Sequence, residues 1–126
     1  MYQLCLQREF EASHFLIGGD WGAENKVHGH PYRLEWILEG RQLDQHGYLV
    51  DLTNVDEHLE AVLARYRGKV LNDLPEFAGV NPSLEHFCGV LSDRLAPHLA
   101  GAGLHAHTIR LWESETAWAA LRRALE

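Results

Sequence analysis

The chain has 126 residues, of which 46% are hydrophobic and 23% are charged, and its formal net charge is −7. This length and composition predict one soluble globular domain spanning residues 1–126, and the negative charge argues against a nucleic-acid or anionic-membrane partner. No apolar run approaches the roughly 20 residues of a membrane span, and no signal peptide is visible at Met1. We therefore expect a cytoplasmic protein in which Cys5 and Cys88, which fit no redox or metal motif, are buried thiols.

Two strands are predicted in the first third of the chain. Residues 2–10 alternate between apolar and polar side chains, which is the period of a half-buried strand. A polar loop that contains three glycines follows at residues 18–26. A second strand is predicted at residues 28–38, where the alternate apolar side chains from Tyr32 onwards continue the parity of His28 and His30.

Two helices are predicted in the middle of the chain. Thr53 is expected to cap the first helix, and Gly68 is expected to end it. Its apolar stripe consists of Val55, Leu59, Val62, Leu63 and Tyr66. Asn81 is expected to cap the second helix, with Pro82 at the first helical position. The stripe of this helix consists of Leu84, Phe87, Cys88, Leu91 and Leu95.

The last part of the chain predicts a strand and an ambiguous tail. At residues 105–113, Ile109, Leu111 and Glu113 share one face of a strand. The tail at residues 117–125 favours helix by residue propensity, but it is too short for periodicity to decide. The residues alone therefore predict the order strand, strand, helix, helix, strand, followed by an undecided tail.

The two histidines that open the second strand are candidate metal ligands. Side chains at positions i and i+2 of a strand point to the same face, so His28 and His30 would project side by side. Neutral imidazole suits zinc, and two ligands on one strand need only one or two more from elsewhere. Such a pair is also common without a metal, so the spacing alone leaves both interpretations open.

Six short segments, taken in order, match motifs of a known family. They are Phe10-Glu11-Ala12-Ser13-His14, His28-Gly29-His30-Pro31-Tyr32, Gly47-Tyr48-Leu49-Val50-Asp51-Leu52, Leu71-Asn72-Asp73, Asn81-Pro82-Ser83-Leu84-Glu85 and Trp112-Glu113-Ser114-Glu115-Thr116. The chain thereby resembles the 6-pyruvoyl-tetrahydropterin synthase and 6-carboxytetrahydropterin synthase family over nearly its whole length. The combination is specific because all six segments occur in the family's order.

This resemblance implies a tunnelling fold (T-fold), which is an α+β architecture in the order ββααββ. A four-stranded antiparallel sheet carries two helices on one face, and the tail becomes the fourth strand against its helical propensity. Members are usually hexamers made of two trimers, with active sites at subunit interfaces. Closure of the sheets between copies removes exposed edges, so we expect a homohexamer.

The resemblance also implies a ligand set and a substrate class. His14, His28 and His30 match the family's three zinc ligands, which leave one coordination position open. The Zn²⁺ ion would act there as a Lewis acid on a reduced pterin such as dihydroneopterin triphosphate. Glu113 matches the glutamate that anchors the pterin, since a carboxylate accepts hydrogen bonds from a ring N–H and a neighbouring amino group. His14 could instead be an ordinary strand-end residue, and Glu113 a solvated carboxylate.

Two departures from the family pattern concern catalysis. Bacterial members carry a cysteine four residues before His28, where this chain has Glu24. Some members with a glutamate in this region cleave the substrate side chain, so Glu24 is either a general base or an ordinary loop residue. Residues 67–70 read Arg-Gly-Lys-Val in place of the family's Asp-His proton relay. Candidate replacements are His86, His105, His107 and Asp73.

Three functions are compatible with these features. The first is a zinc-dependent lyase that cleaves the side chain of a reduced pterin with Glu24 as base; the standard synthase reactions are not expected without the cysteine and the relay. The second is a catalytically inactive paralogue that binds a pterin or a purine-like ligand. The third is a paralogue with an unrelated substrate.

Overall fold

The computed structural model describes residues 1–125. Within them, four strands form one antiparallel sheet in the order β1-β2-β3-β4. Two helices follow the second strand and precede the third along the chain. The elements are β1 (Tyr2–His14), β2 (His28–Gly40), α1 (Leu52–Ala64), α2 (Leu84–Leu95), β3 (Ala106–Ser114) and β4 (Ala117–Ala124). This arrangement confirms the predicted α+β class and the order ββααββ.

The two longest strands pair along their full length. β1 and β2 each have 13 residues, and their register runs from Tyr2 opposite Gly40 to His14 opposite His28. Alternate side chains of both strands, including Phe10 and Trp36, are buried in a core that also takes in the inner faces of both helices. Both strands extend beyond the predicted limits: β1 keeps its in/out alternation to His14, whereas the last three residues of β2 are all buried.

The tail forms a strand, as the resemblance implied, and not the helix that propensity favours. β4 pairs with β3 across a two-residue turn, with Trp112 opposite Trp118. The indole rings of this pair lie 6.0 Å apart, and Ala119 packs against the core. Cross-strand contacts of this kind outweigh the weak intrinsic preference of a short segment for helix.

Four local predictions were wrong. Helix α1 ends at Ala64 and not at Gly68. The cap of α1 is Asp51 and not Thr53, because the Asp51 side chain accepts hydrogen bonds from the first-turn N–H groups. The cap of α2 is Ser83 and not Asn81, whose side chain bonds to a different part of the chain. Cys5 is exposed on the outer face of the sheet, opposite the helices, whereas Cys88 is buried as predicted.

Neither helix in the described part of the chain combines the length and the apolar character that crossing a bilayer would require.

His107 is a buried core residue of the inner sheet face. The indole Nε1 of Trp36 donates to its Nδ1 at 3.0 Å, so the proton of the neutral ring lies on Nε2, which faces the Ser92 hydroxyl at 3.1 Å. Burial, followed by the positive charge of Arg123, lowers the pKa of His107 from 6.5 to about 4. Protonation of Nδ1 would also place a hydrogen against the indole N–H.

We expect the free energy of unfolding to fall as the pH drops from 6.5 towards 4, because the unfolded chain takes up the His107 proton before the folded chain does. His107→Leu should cost about 1–3 kcal/mol at pH 7 by leaving the Trp36 N–H without a partner. The variant should also lose less stability on acidification. Urea unfolding at several pH values, with a metal chelator present, measures both effects; equal pH dependence in the two proteins would contradict the prediction.

Candidate functional site

The β1–β2 register brings three histidines to one face of the sheet. His14 lies opposite His28, and His30 lies one inward-facing position further along β2, opposite Ala12. The ring centres are 4.6 Å apart for His14 and His28, 4.6 Å for His14 and His30, and 4.8 Å for His28 and His30. One ring nitrogen from each residue lies within 4.8 Å of the others. The predicted ligand set is therefore assembled within one subunit.

Hydrogen bonds fix the orientation of two of these rings. Nδ1 of His14 lies 2.9 Å from the hydroxyl of Tyr32, which leaves Nε2 free. Nδ1 of His28 donates to the backbone carbonyl of Lys26 at 2.8 Å, so its Nε2 carries a lone pair. The carbonyl contact of His28 selects the tautomer that metal-binding histidines use, and the Tyr32 hydroxyl can accept from Nδ1 of His14 in the same way.

The third ring has an unsatisfied nitrogen. Nε2 of His30 is buried and has no hydrogen-bond partner within residues 1–125. A buried polar atom without a partner is costly and needs a physical explanation. A metal ion bound by His14, His28 and His30 would supply the missing partner, so the donor set fits a zinc ion with one coordination position left open.

The protonation state of His14 also suits a ligand. Burial, followed by the electrostatic effect of the neighbouring His30 and His28, lowers its pKa from 6.5 to about 4, because desolvation and like charges both disfavour the charged ring. His14 is therefore neutral at pH 7, which is the state that binds a metal. Burial raises the pKa of Tyr32, and the negative charge of Glu113 raises it further, so its hydroxyl stays protonated.

A cavity of about 220 Å³ opens beside the histidines. Its walls include His14, His30, Glu24 and Glu113, so both carboxylates singled out in the sequence lie near the histidine cluster. Glu24 lies in a short 3₁₀ turn (Gly22–Asn25), and Glu113 is the next-to-last residue of β3. The sequence could not establish this proximity because the four residues come from four separate segments.

Glu85 is a wall residue to which the sequence analysis gave no role. It lies in the first turn of α2 and lines the same cavity together with Ser83 and Leu84. Its segment contributed to the family resemblance, so position in a motif was the signal that could have identified it. The cavity thus presents three carboxylates, from Glu24, Glu85 and Glu113.

None of the four candidate relay residues lines this cavity. Both ring nitrogens of His107 already have hydrogen-bond partners in the core. Nε2 of His86 lies 3.3 Å from the backbone carbonyl of Glu76. His105 and Asp73 are exposed to solvent. Within one subunit, these residues therefore do not restore the missing proton relay.

The segment that replaces the relay lies along the outer edge of β1. Gly68 N–H donates to the Glu11 carbonyl at 2.8 Å, and Ser13 N–H donates to the Lys69 carbonyl at 2.8 Å. Val70 forms a parallel bridge with Ser13. Gly68 adopts a φ of +69°, a conformation that glycine tolerates better than other residues.

Comparison with known proteins identifies similar sequences. A family model described as 6-pyruvoyl tetrahydropterin synthase matches residues 3–124. A protein of Archaeoglobus fulgidus, provisionally named 6-carboxy-5,6,7,8-tetrahydropterin synthase, is 28% identical over 118 residues, which cover 94% of this chain and 93% of that protein. The 6-carboxy-5,6,7,8-tetrahydropterin synthase of Bacillus subtilis is 30% identical over 77 residues, which cover 61% of this chain and 51% of that protein.

Two solved structures share the fold. The 6-pyruvoyl tetrahydropterin synthase of Caenorhabditis elegans aligns with a TM-score of 0.80 at 21% identity over 98% of both chains. A 6-pyruvoyltetrahydropterin synthase of Plasmodium vivax, in which a catalytic glutamate is replaced by alanine, aligns with a TM-score of 0.80 at 15% identity, also over 98% of both chains. These similarities confirm the predicted tunnelling fold.

We predict that protein purified without a chelator contains about one zinc ion per chain, bound by His14, His28 and His30. His30→Ala should lower the affinity by more than the roughly tenfold that loss of an outer contact typically costs. His46→Ala, in an exposed loop, is the matched control and should keep its metal. Elemental analysis and competition with a chromogenic chelator measure both quantities. Substoichiometric metal that does not rise on zinc addition would contradict the prediction.

Proposed function

The chain belongs to the 6-pyruvoyl tetrahydropterin synthase family, and on that premise we propose that it binds a reduced pterin beside a Zn²⁺ ion and cleaves the pterin side chain. The observation that carries this proposal is the set of three convergent imidazoles, one with an orphaned buried nitrogen, two of which line a cavity that also presents carboxylates. When bound, the ion would supply Lewis-acid stabilisation of negative charge on substrate oxygen.

Glu24 is the proposed general base. When Glu24 removes a proton from a hydroxyl of the pterin side chain, the carbon that bears this hydroxyl becomes a carbonyl as the adjacent carbon–carbon bond breaks. The same proton can then return to the carbon that stays on the pterin ring. Glu24 lines the cavity with His14 and His30, which supports this role. The Plasmodium vivax neighbour is described as having a catalytic glutamate, which also supports an acid–base glutamate on this fold.

Glu113 is the proposed anchor of the pterin ring. A carboxylate that accepts hydrogen bonds from a ring N–H and the adjacent amino group fixes both the position and the orientation of the ring. Its place in the cavity wall, together with its electrostatic influence on Tyr32, supports a position beside the metal ligands. Glu85 offers a second carboxylate in the same wall, and the two can be separated by mutation.

A second candidate function is that of a catalytically inactive protein that binds a pterin or a purine-like ligand. It is favoured by the positions of His86, His105, His107 and Asp73, since none of them lines the cavity to serve as a replacement relay. A thermal shift with a reduced pterin but no turnover would favour this function over the lyase, because a ligand that binds only the folded state raises the melting temperature.

We further propose a cytoplasmic homohexamer of two trimers. Exposed apolar side chains on β4, among them Trp118 and Leu121, suit contact with another copy. Pairing between subunits would also satisfy the strand edges that one subunit leaves open. Light scattering should report several times the mass of one chain, and a monodisperse monomer at micromolar concentration would contradict the proposal.

We predict that Glu113→Ala weakens binding of a reduced pterin by roughly ten- to a hundredfold, since a hydrogen bond to a charged group contributes about 1.5–3 kcal/mol. Glu115→Ala, two residues away and exposed, is the control and should bind normally. Calorimetry with zinc-loaded protein measures the affinities. Unchanged affinity in Glu113→Ala, combined with a loss in Glu85→Ala, would assign the anchor to Glu85 instead.

We predict that Glu24→Gln lowers side-chain cleavage of dihydroneopterin triphosphate by at least about a hundredfold, the usual size of a general-base contribution. The amide keeps the shape of the side chain but cannot accept the proton, so pterin affinity and zinc content should stay the same. Glu57→Gln, exposed on α1, is the control. Product analysis by chromatography checks the result. Efficient formation of a 6-pyruvoyl or 6-carboxy product by the unmodified protein would contradict the proposed reaction.

A further inference from the structure

Residues 15–17 connect β1 to the loop that carries Glu24, and they are held by side-chain amides. Asn72 accepts a hydrogen bond from the Phe15 N–H at 2.9 Å and donates one to the Phe15 carbonyl at 2.9 Å. Asn81 contacts Ile17 in the same way, at 2.7 and 3.2 Å. These two asparagines therefore bind one side of the segment as a neighbouring strand would.

Leu16 faces the opposite way and joins the segment to the Glu24 loop. Its N–H donates to the backbone carbonyl of Glu24 at 2.9 Å. Nδ2 of Asn25 donates to the Leu16 carbonyl at 3.1 Å and to the Gly19 carbonyl at 2.9 Å. Oδ1 of Asn25 accepts from the Trp21 N–H at 2.8 Å. Asn25 thus closes the loop onto the segment.

The three asparagines form hydrogen bonds to the backbone N–H and carbonyl groups on both sides of the segment. An amide side chain carries a donor and an acceptor, so a paired contact fixes both the position and the rotation of the peptide that it meets. Every backbone N–H and carbonyl of residues 15–17 has a partner, and all of those partners except the Glu24 carbonyl belong to asparagine side chains. Backbone groups left without partners in this partly buried segment would destabilise it.

We propose that Asn25, Asn72 and Asn81 are positioning residues that hold His14 and Glu24 at a fixed separation. His14 directly precedes the bonded segment, and the Glu24 backbone is bonded to the middle of it. The three side chains, here called the asparagine clamp, act on the site only through this backbone. The inference rests on the proposed function for the roles of His14 as metal ligand and Glu24 as base.

The test uses Asn72→Asp and Asn81→Asp, with Asn54→Asp at an exposed position of α1 as the matched control. Each change keeps the shape of the side chain but places a carboxylate oxygen where the amide donor was. Hydrogen exchange of the metal-free full-length protein is measured first. If the clamp acts as a unit, Asn81→Asp speeds exchange by at least about tenfold at Leu16 and in the Glu24 loop as well as at Ile17. Faster exchange confined to Ile17 overturns the clamp.

A zinc titration with a competing chelator is the second measurement. Asn72→Asp should lower zinc affinity by about tenfold, the lower end of the effect of losing an outer contact. The added negative charge would by itself favour a cation, so a loss of affinity reports altered geometry. Asn54→Asp should bind like the unmodified protein. Normal zinc affinity in Asn72→Asp, together with faster exchange, overturns the positioning role of the clamp.

The two measurements separate this inference from the proposed function. If the unmodified protein binds no zinc, the proposed function fails, and the exchange pattern alone decides whether the clamp holds the Glu24 loop to the segment after β1. If Asn72→Asp does not fold, the same measurements on Asn81→Asp decide, since that side chain meets only Ile17 in this segment. A lower melting temperature with normal zinc affinity in the folded fraction indicates a merely structural role and overturns the inference.

Discussion

The pairing of β1 with β2 is the constraint on which the rest of the site depends. The same alternation that buries Phe10 and Trp36 also sends His14, His28 and His30 to the inner face. A slip of one residue would turn the side chains of one strand to the opposite face, so the core and the histidine cluster would be lost together. The register of this strand pair therefore fixes the histidine geometry together with the core.

Two histidines of the inner face differ in whether their buried ring nitrogens have hydrogen-bond partners. His107 has partners for both ring nitrogens, and its neutral ring completes a hydrogen-bonded core. His30 has a buried Nε2 that the described residues leave without a partner. Neither sequence position nor burial alone distinguishes the two residues. The number of satisfied nitrogens does, because an orphaned buried atom is stable only if something else binds it.

The sequence predicted well what local periodicity determines. The core faces of β1 and β2 followed from alternation, and the shared face of His28 and His30 followed from their spacing. Long-range pairing was beyond that reasoning, so His14 entered only through the family resemblance. The prediction that Cys5 is buried followed its apolar neighbours Leu4 and Leu6, although the strand alternation places Cys5 on the exposed face with Gln3 and Gln7. Glu85 was missed because its place in the cavity wall depends on where α2 begins relative to β1.

The short segment from Gly68 to Val70 limits how the sheet can grow. It already bonds to the outer edge of β1 at Glu11 and Ser13, so a strand added there could pair only with residues 2–10. β4 has eight residues, which matches that free length. A neighbouring copy that docked its β4 on this edge would therefore be displaced along the strand direction, away from the end of β1 that Gly68 to Val70 already cover. Such stagger between successive strands is the shear that tilts them and lets a sheet close into a barrel instead of extending flat.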